Sequence, residues 1–395
     1  VSAEQLTELR GHGGVVEGLL RAAHEGRLPH ALCLEGPEGV GKFLAARHLA
    51  AGLLCTGERT GERAGEHTGE RAGEHTGEHT GERAGERAGE HTGDALRACG
   101  LCGPCKRFLA GTHPDVLVLD PRAAGEESLK LNRIAERDDS PGPTVGGFLS
   151  LKAGEGGYRV VIVRDAELMN AAAQNALLKT LEEPAARVVL ALVTSRPRQL
   201  LETVRSRCVA LSCAPLAQDE MEAILGDLAA GGERRAELMS WGRGAPGRVL
   251  ELVARDMLTV RGHLAALLAG EAEPAESGRC LRELEGDFGG KTATAQARER
   301  LRAVLEVGLE LLRELLLAGG HGTVHGAALA AVRPASQRLR HWQVDQLLLA
   351  LQDVGANMNT DAILDRALTA LHRRELDAGC LTAPGSGGWA ARDGA

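Results

Sequence analysis

The chain has 395 residues, of which 43% are hydrophobic and 25% charged; this is too long for one ordinary core and predicts two or three domains. No apolar run approaches the ~20 residues of a membrane-spanning helix, and the first thirty residues mix charge with glycine and hold no signal-peptide core, so a cytoplasmic setting without membrane contact is expected. A net charge of −8 with 2% aromatic residues argues against a freestanding, strongly basic reader of nucleic acid, and leaves room only for DNA contact through a local patch or within a complex.

Up to about residue 212 strands and helices alternate. Short β-rich runs stand at Ala31–Leu34, Val116–Leu119, Arg159–Val163, Val188–Val193 and Val209–Leu211, with helical stretches such as Lys42–Leu54 and Ala171–Glu183 between them. Apolar runs of this length, bounded by turns and alternating with helices, predict a buried parallel sheet with helices on both faces. Asn170 is placed to cap the helix that follows it, and Pro184 closes that helix.

After Ser212 the strands stop. Leu216–Ala230 and Ala236–Arg255 read as short helices around Gly242-Arg243-Gly244. Beyond Met257 come long amphipathic helices rich in leucine and alanine, clearest at Ala295–Leu317, Val344–Leu351 and Thr360–Leu376, and then a tail, Asp377–Ala395, with the composition of a frayed terminus. The fold class is therefore α/β followed by all-α. The apolar stripes of the long helices suit an internal core as well as a subunit interface.

One segment breaks the pattern. Thr56 to His91 is nine tetrapeptides of the form [TA]-G-E-[RH], running on to Gly93. A glycine at every fourth residue costs a helix about 1 kcal/mol each relative to alanine, and no apolar residue is larger than alanine, so the segment cannot build a core. Residues 56–93 are expected to be a solvated, disordered insertion, in which His67, His75, His79 and His91 bind metal loosely at most.

The strongest chemical signal is Gly36-Pro37-Glu38-Gly39-Val40-Gly41-Lys42-Phe43, between an apolar strand and a helix. A GxxxxGK run in this context is a phosphate-binding loop: glycines let backbone N–H groups face a polyphosphate, and Lys42 reaches its outer phosphates. The eighth position should carry a Ser or Thr hydroxyl for Mg²⁺, and Phe43 cannot coordinate a metal. A second departure follows the strand Val160–Val163, where an active ATPase of this type places an Asp and this chain has Arg164, with Asp165 one position late. Two losses in one metal site predict a degenerate, non-hydrolysing loop. Binding of ATP or ADP without hydrolysis stays open, because Lys42 and the loop backbone persist.

Nine cysteines in a cytosolic setting suggest metal binding or buried thiols rather than disulfides. Cys99, Cys102 and Cys105, with Cys55 upstream, offer four thiolates, enough for a closed structural zinc site once the repeat between them is treated as an insertion. Cys33, Cys208, Cys213, Cys280 and Cys380 read as small buried hydrophobes or inert surface thiols.

Three further strings make these features resemble a family. Gly111-Thr112-His113-Pro114-Asp115, the run from Asn175 to Pro184 (NALLKTLEEP) and Ser206-Arg207-Cys208 are similar to the GTHPD, NALLKTLEEP and SRC motifs of bacterial clamp-loader subunits of the gamma/tau and delta-prime type, across roughly residues 1–255 with weaker support to 376. The resemblance implies an AAA+ P-loop domain over 1–212 with a zinc module at 55–105, a helical lid at 213–256 and a helical collar at 257–376 that oligomerises a ring. It also implies that Arg207 is an arginine finger reaching ATP bound by a neighbouring subunit, with Arg205 the second candidate.

The departures decide between subunit types. A gamma/tau motor should keep an intact Mg²⁺ site, whereas Phe43 and Arg164 break it. In Gly244-Ala245-Pro246-Gly247-Arg248, Gly247 takes the place of the motor's nucleotide-sensing arginine and Arg248 stands one residue late. The delta-prime pattern, finger retained and own site degraded, fits better. The implied function is a stator-like subunit that works with gamma/tau and delta subunits to load the sliding clamp on primer-template DNA. A gamma/tau-like subunit with its own ATPase is the alternative, and a metal-binding adaptor outside replication is a third reading.

Overall fold

The computed structural model describes residues 9–57, 98–124, 128–154, 157–226, 233–286, 288, 292–317, 332, 335–356 and 358–375. The histidine-bearing part of the tetrapeptide repeat, Cys380 and the tail lie outside the described residues. Two compact units meet in sequence at residues 214 and 215, and residues 38–40 are grouped with the second.

In the first unit the five expected strands are present: β1 (Ala31–Glu35), β2 (Val116–Leu119), β3 (Arg159–Val163), β4 (Val188–Thr194) and β5 (Val209–Ser212). They form one sheet in the order β2-β3-β4-β1-β5 with every neighbouring pair parallel. β3 and β4 are buried along their whole length, which is why they read as unbroken apolar runs rather than as alternation. The edge strand β5 is mostly exposed.

Helix α1 (Gly13–His24) precedes β1, and α2 (Lys42–Leu54), α3 (Gly103–Leu109), α4 (Pro121–Ala124), α5 (Leu131–Ile134), α6 (Val145–Ser150), α7 (Ala171–Glu182) and α8 (Glu202–Arg205) lie between the strands. Strand side chains alternate between faces. Ala31, Cys33, Val161, Val163, Leu190 and Leu192 pack with Ala173, Leu177 and Leu181 of α7 in one core. The alternate set, Leu32, Leu34, Val160, Ile162, Val189 and Ala191, is equally buried, and α2 packs along β1, β3 and β4 with α1 against it. α7 begins as its sequence requires: the Asn170 side chain accepts from the Ala173 N–H at 2.8 Å. It ends at Glu182, one residue before the sequence suggested, because Pro184 restricts the residue preceding it.

A buried ion pair fixes the start of the sheet. Asp115 of the GTHPD string is fully buried, and its Oδ1 accepts from the Gly154 N–H at 2.8 Å and from Arg159 Nε at 3.3 Å. The Arg159 guanidinium also donates to the Phe148, Leu151 and Pro114 carbonyls and lies 4.2 Å from the centre of the Phe148 ring. This string therefore builds structure: it ties the entry to β2, the entry to β3 and the loop at 151–154 together.

The second unit is helical among the described residues, with helices at Gln218–Leu225, Glu233–Gly242, Pro246–Ala254, Met257–Ala269, Pro274–Arg282, Ala293–Leu317, Gln337–Gly355 and Thr360–His372. Its Arg261, 2% exposed, pairs with Glu237 at 2.7 Å and Glu314 at 2.8 Å and lies over the Trp241 ring. One buried cation thus links three helices. No helix among the described residues is long and apolar enough to cross a membrane.

Asp115→Ala would strand the Arg159 guanidinium without its counter-ion. It should destabilise the first unit by about 3–5 kcal/mol, read as a lower urea midpoint, and the double change Asp115→Ala/Arg159→Met should recover most of the loss.

Candidate functional site

In an open parallel sheet, ligands bind outside the carboxyl ends of the strands. In the first unit those ends carry the glycine loop after β1, Asp120 after β2, Arg164 after β3 and Ser195 after β4. The candidate nucleotide residues are thereby gathered on one edge.

The loop runs from Gly36 into α2, with positive φ at Gly36, Gly39 and Gly41. A side chain at Gly36 is impossible, because a Cβ there would lie 2.2 Å from the Cys213 carbonyl oxygen. Pro37 follows, and Glu38, Gly39 and Val40 are grouped with the second unit, in which the Gly247 N–H donates to the Gly39 carbonyl at 2.9 Å. Gly247 thus supplies a backbone donor to the loop.

Lys42 is the first residue of α2 and is buried. Its ammonium donates to the Gly36 carbonyl at 2.8 Å, the Pro37 carbonyl at 2.6 Å and Ser195 Oγ at 3.0 Å. A lysine has three N–H donors, and these three acceptors match them.

The two departures in the metal half lie against each other. The Arg164 guanidinium carbon is 5.0 Å from the centre of the Phe43 ring, within the range of a cation–π contact. Its Nη1 donates to Asp120 Oδ2 at 2.8 Å. A fixed monovalent cation, a carboxylate and an aromatic face therefore stand together at the loop's exit. Asp165 takes a left-handed conformation, φ 49°, and opens a short 3-10 turn at Ala166–Leu168.

Arg207 lies away from the loop, just after α8. Its guanidinium donates to the Thr203 carbonyl at 2.9 Å and pairs with Glu182 Oε1 at 2.7 Å. Both side chains are substantially exposed, 37% and 51%. Arg205, the second finger candidate, is exposed as well. Cys208 is half-buried, and burial pushes its thiol up to about 11, with Glu35 adding to the rise.

The four candidate metal ligands converge although the first two are 44 positions apart. The sulfurs of Cys55, Cys99, Cys102 and Cys105 all lie within 4.8 Å of one another. Cys55 to Cys102 and Cys99 to Cys105 are both 4.0 Å. A tetrahedral zinc with bonds of about 2.3 Å sets its sulfurs about 3.8 Å apart, so the residues present fit the ion. Backbone N–H groups point at the sulfurs, Cys99 N to Cys55 Sγ at 3.3 Å and Cys102 N to Cys99 Sγ at 3.4 Å. Gly57, in the first tetrapeptide of the repeat, is needed here: a Cβ on it would meet Cys99 Sγ at 2.5 Å. Of the remaining thiols, Cys33 and Cys213 are buried and Cys280 is exposed, as small hydrophobes and surface thiols should be.

With this geometry in place, the comparisons with known proteins are specific. A family model described as "DNA polymerase III, delta subunit" matches residues 70–217. The delta' subunit of DNA polymerase III from Pseudomonas aeruginosa is 35% identical over 47% of this chain and 43% of its own. The delta' subunit of Bacillus subtilis is 27% identical over 56% of this chain and 53% of its own. The tau subunit of Escherichia coli DNA polymerase III is 25% identical over 84% of this chain and 45% of its own.

The chain is similar to delta' subunits of DNA polymerase III over about half of its length. The resemblance read from the motifs is borne out, and the match spans about half the length of these relatives or less.

Two residues of this site escape a motif-based reading. Asp120 holds Arg164, and Ser195 holds Lys42. Both are polar residues at the carboxyl end of a parallel strand, and that position was the available signal.

Lys42→Met removes the donor from two loop carbonyls and a serine hydroxyl. A loop that uses Lys42 as its own internal brace should lose about 1–3 kcal/mol of stability, seen as a lower Tm; an unchanged Tm would deny that role.

Proposed function

We propose that the chain is a non-hydrolysing, stator-like subunit of a DNA polymerase III clamp-loader assembly, which supplies Arg207 to ATP bound by a neighbouring ATPase subunit. The observation that carries the reading is the Phe43–Arg164 contact. Mg²⁺ in a P-loop site needs a hydroxyl at the first position and a carboxylate at the second. Here a ring and a cation stand at those positions and satisfy each other, so the residues present do not fit a divalent ion. The phosphate half, from Gly36 to Lys42, keeps the means to hold ATP or ADP without the means to cleave it.

The chemical contribution then falls to Arg207. An arginine provided in trans neutralises charge on a transferring phosphoryl group and accelerates the reaction by about 10³–10⁵ in related P-loop systems. The proposed partners are gamma/tau and delta subunits, the sliding clamp and primer-template DNA, met within the complex and in the cytoplasm. The domains would be an AAA+ module, a lid at 213–256 and a collar at 257–376. A gamma-type motor with its own ATPase is the second reading, and the retained Lys42 and loop backbone favour it.

In a reconstituted loader, Arg207→Ala should lower clamp- and DNA-stimulated ATP turnover, by about tenfold or more at the site it serves. Unchanged turnover would sink the finger assignment. The purified chain alone should show no Mg²⁺-dependent hydrolysis; hydrolysis abolished by Lys42→Ala would establish the motor instead.

Zinc is the ion proposed for Cys55, Cys99, Cys102 and Cys105, in a structural role, since four sulfurs leave no open position for water. Elemental analysis should find about one zinc per chain, and Cys102→Ser should release it. Because thiolates rather than thiols bind the ion, acid competes with it, and release to a chelator should rise as pH falls.

A further inference from the structure

We infer that Glu182 is the positioning residue for Arg207: it parks the guanidinium on this chain until a phosphate of the neighbouring site displaces the carboxylate. The inference rests on the finger reading and names the residue that controls it. Glu182 is the last residue of α7, and Arg207 lies just past α8. Nothing in the spacing of residues 182 and 207 joins them; the packing of α7 against α8 does.

The contact is built to be exchanged. Arg207 Nη2 meets Glu182 Oε1 at 2.7 Å while Nη1 meets the Thr203 carbonyl at 2.9 Å. The carbonyl belongs to α8 itself and holds one terminal nitrogen of the guanidinium. The carboxylate is half-exposed and sits at a helix end. Exposed ion pairs of this type shift an equilibrium by no more than about fivefold, so the parked state is cheap to leave. A polyphosphate also presents two oxygens to one guanidinium as charge-assisted acceptors, with more negative charge, and it outcompetes one carboxylate. Glu182 thus holds the arginine in one direction without committing it.

The test uses the full chain in a reconstituted loader with gamma/tau-type ATPase subunits, clamp and primed DNA. Glu182→Gln keeps the side-chain shape and removes the charge. It should raise ATP turnover about two- to fivefold at low salt, and the rise should shrink at high ionic strength, where the wild-type pair is already screened. Glu182→Asp should stay near wild type. In an Arg207→Ala background, Glu182→Gln should change nothing. Turnover that is unchanged or lower in Glu182→Gln, or that shifts equally with and without Arg207, overturns the parking role. If Arg207→Ala itself leaves turnover intact, the finger reading fails first, which separates the two failures.

Discussion

At the carboxyl edge of the sheet a guanidinium lies between a carboxylate and a ring: Arg164 donates to Asp120 and faces Phe43. That contact constrains what the rest of the site can do. Changing Phe43 alone to a hydroxyl-bearing residue would leave a cation beside the position a divalent ion needs. Changing Arg164 alone to an acid would set a second carboxylate near Asp120 with no cation between them, which like charges resist. The pair is self-consistent, and single steps away from it are unfavourable in both directions. The phosphate half is organised by the same logic, since the Lys42 ammonium is met by two loop carbonyls and a hydroxyl of this chain. Both cations at this edge are met by this chain's own atoms, Arg164 by a carboxylate and Lys42 by neutral acceptors.

The thiol cluster shows how far an insertion can be tolerated when its ends are held. Cys55 ends α2, and Cys99, Cys102 and Cys105 lead into and through the first turn of α3. Loop closure costs only about 0.6 kcal/mol more for each doubling of length. A long repeat between Cys55 and Cys99 is therefore compatible with the same four-sulfur geometry that a short gap would give. What the geometry does restrict is the residue at the insertion's start, where Gly57 passes too close to Cys99 Sγ to carry a side chain.

Much of this was legible in the sequence, for physical reasons. β1, β3 and β4 are buried on both faces, so their apolar runs stood out, and β2 and β3 fall on the residues expected of them. β1, β4 and β5 each run one residue further, to Glu35, Thr194 and Ser212, because ladder hydrogen bonds continue after the apolar signal stops. The break in the helical region near Gly242-Arg243-Gly244 was visible because glycine ends helices, and helices do end at Gly242 and restart at Pro246. What could not be read were contacts between residues distant in sequence. The Arg164–Asp120, Lys42–Ser195 and Arg207–Glu182 pairs join different strands or helices, and residue type alone does not choose among the many available acceptors. The GTHPD string was legible as a motif but not as chemistry: its aspartate turned out to be the buried anchor of Arg159.

The arginines of this chain make the functional distinction physically concrete. Arg159 and Arg261 are buried, each held by several acceptors and an aromatic face, and removing a partner from either would leave a charge uncompensated in a medium that penalises it. Such residues are parts of the scaffold and cannot be lent to another molecule. Arg207 has one carbonyl, one half-exposed carboxylate and a side chain more than a third exposed. Its charge is in contact with solvent where it stands, so leaving Glu182 costs little desolvation. A group that must act on a ligand outside its own chain has to meet that condition, and Arg207 meets it where the buried pairs do not.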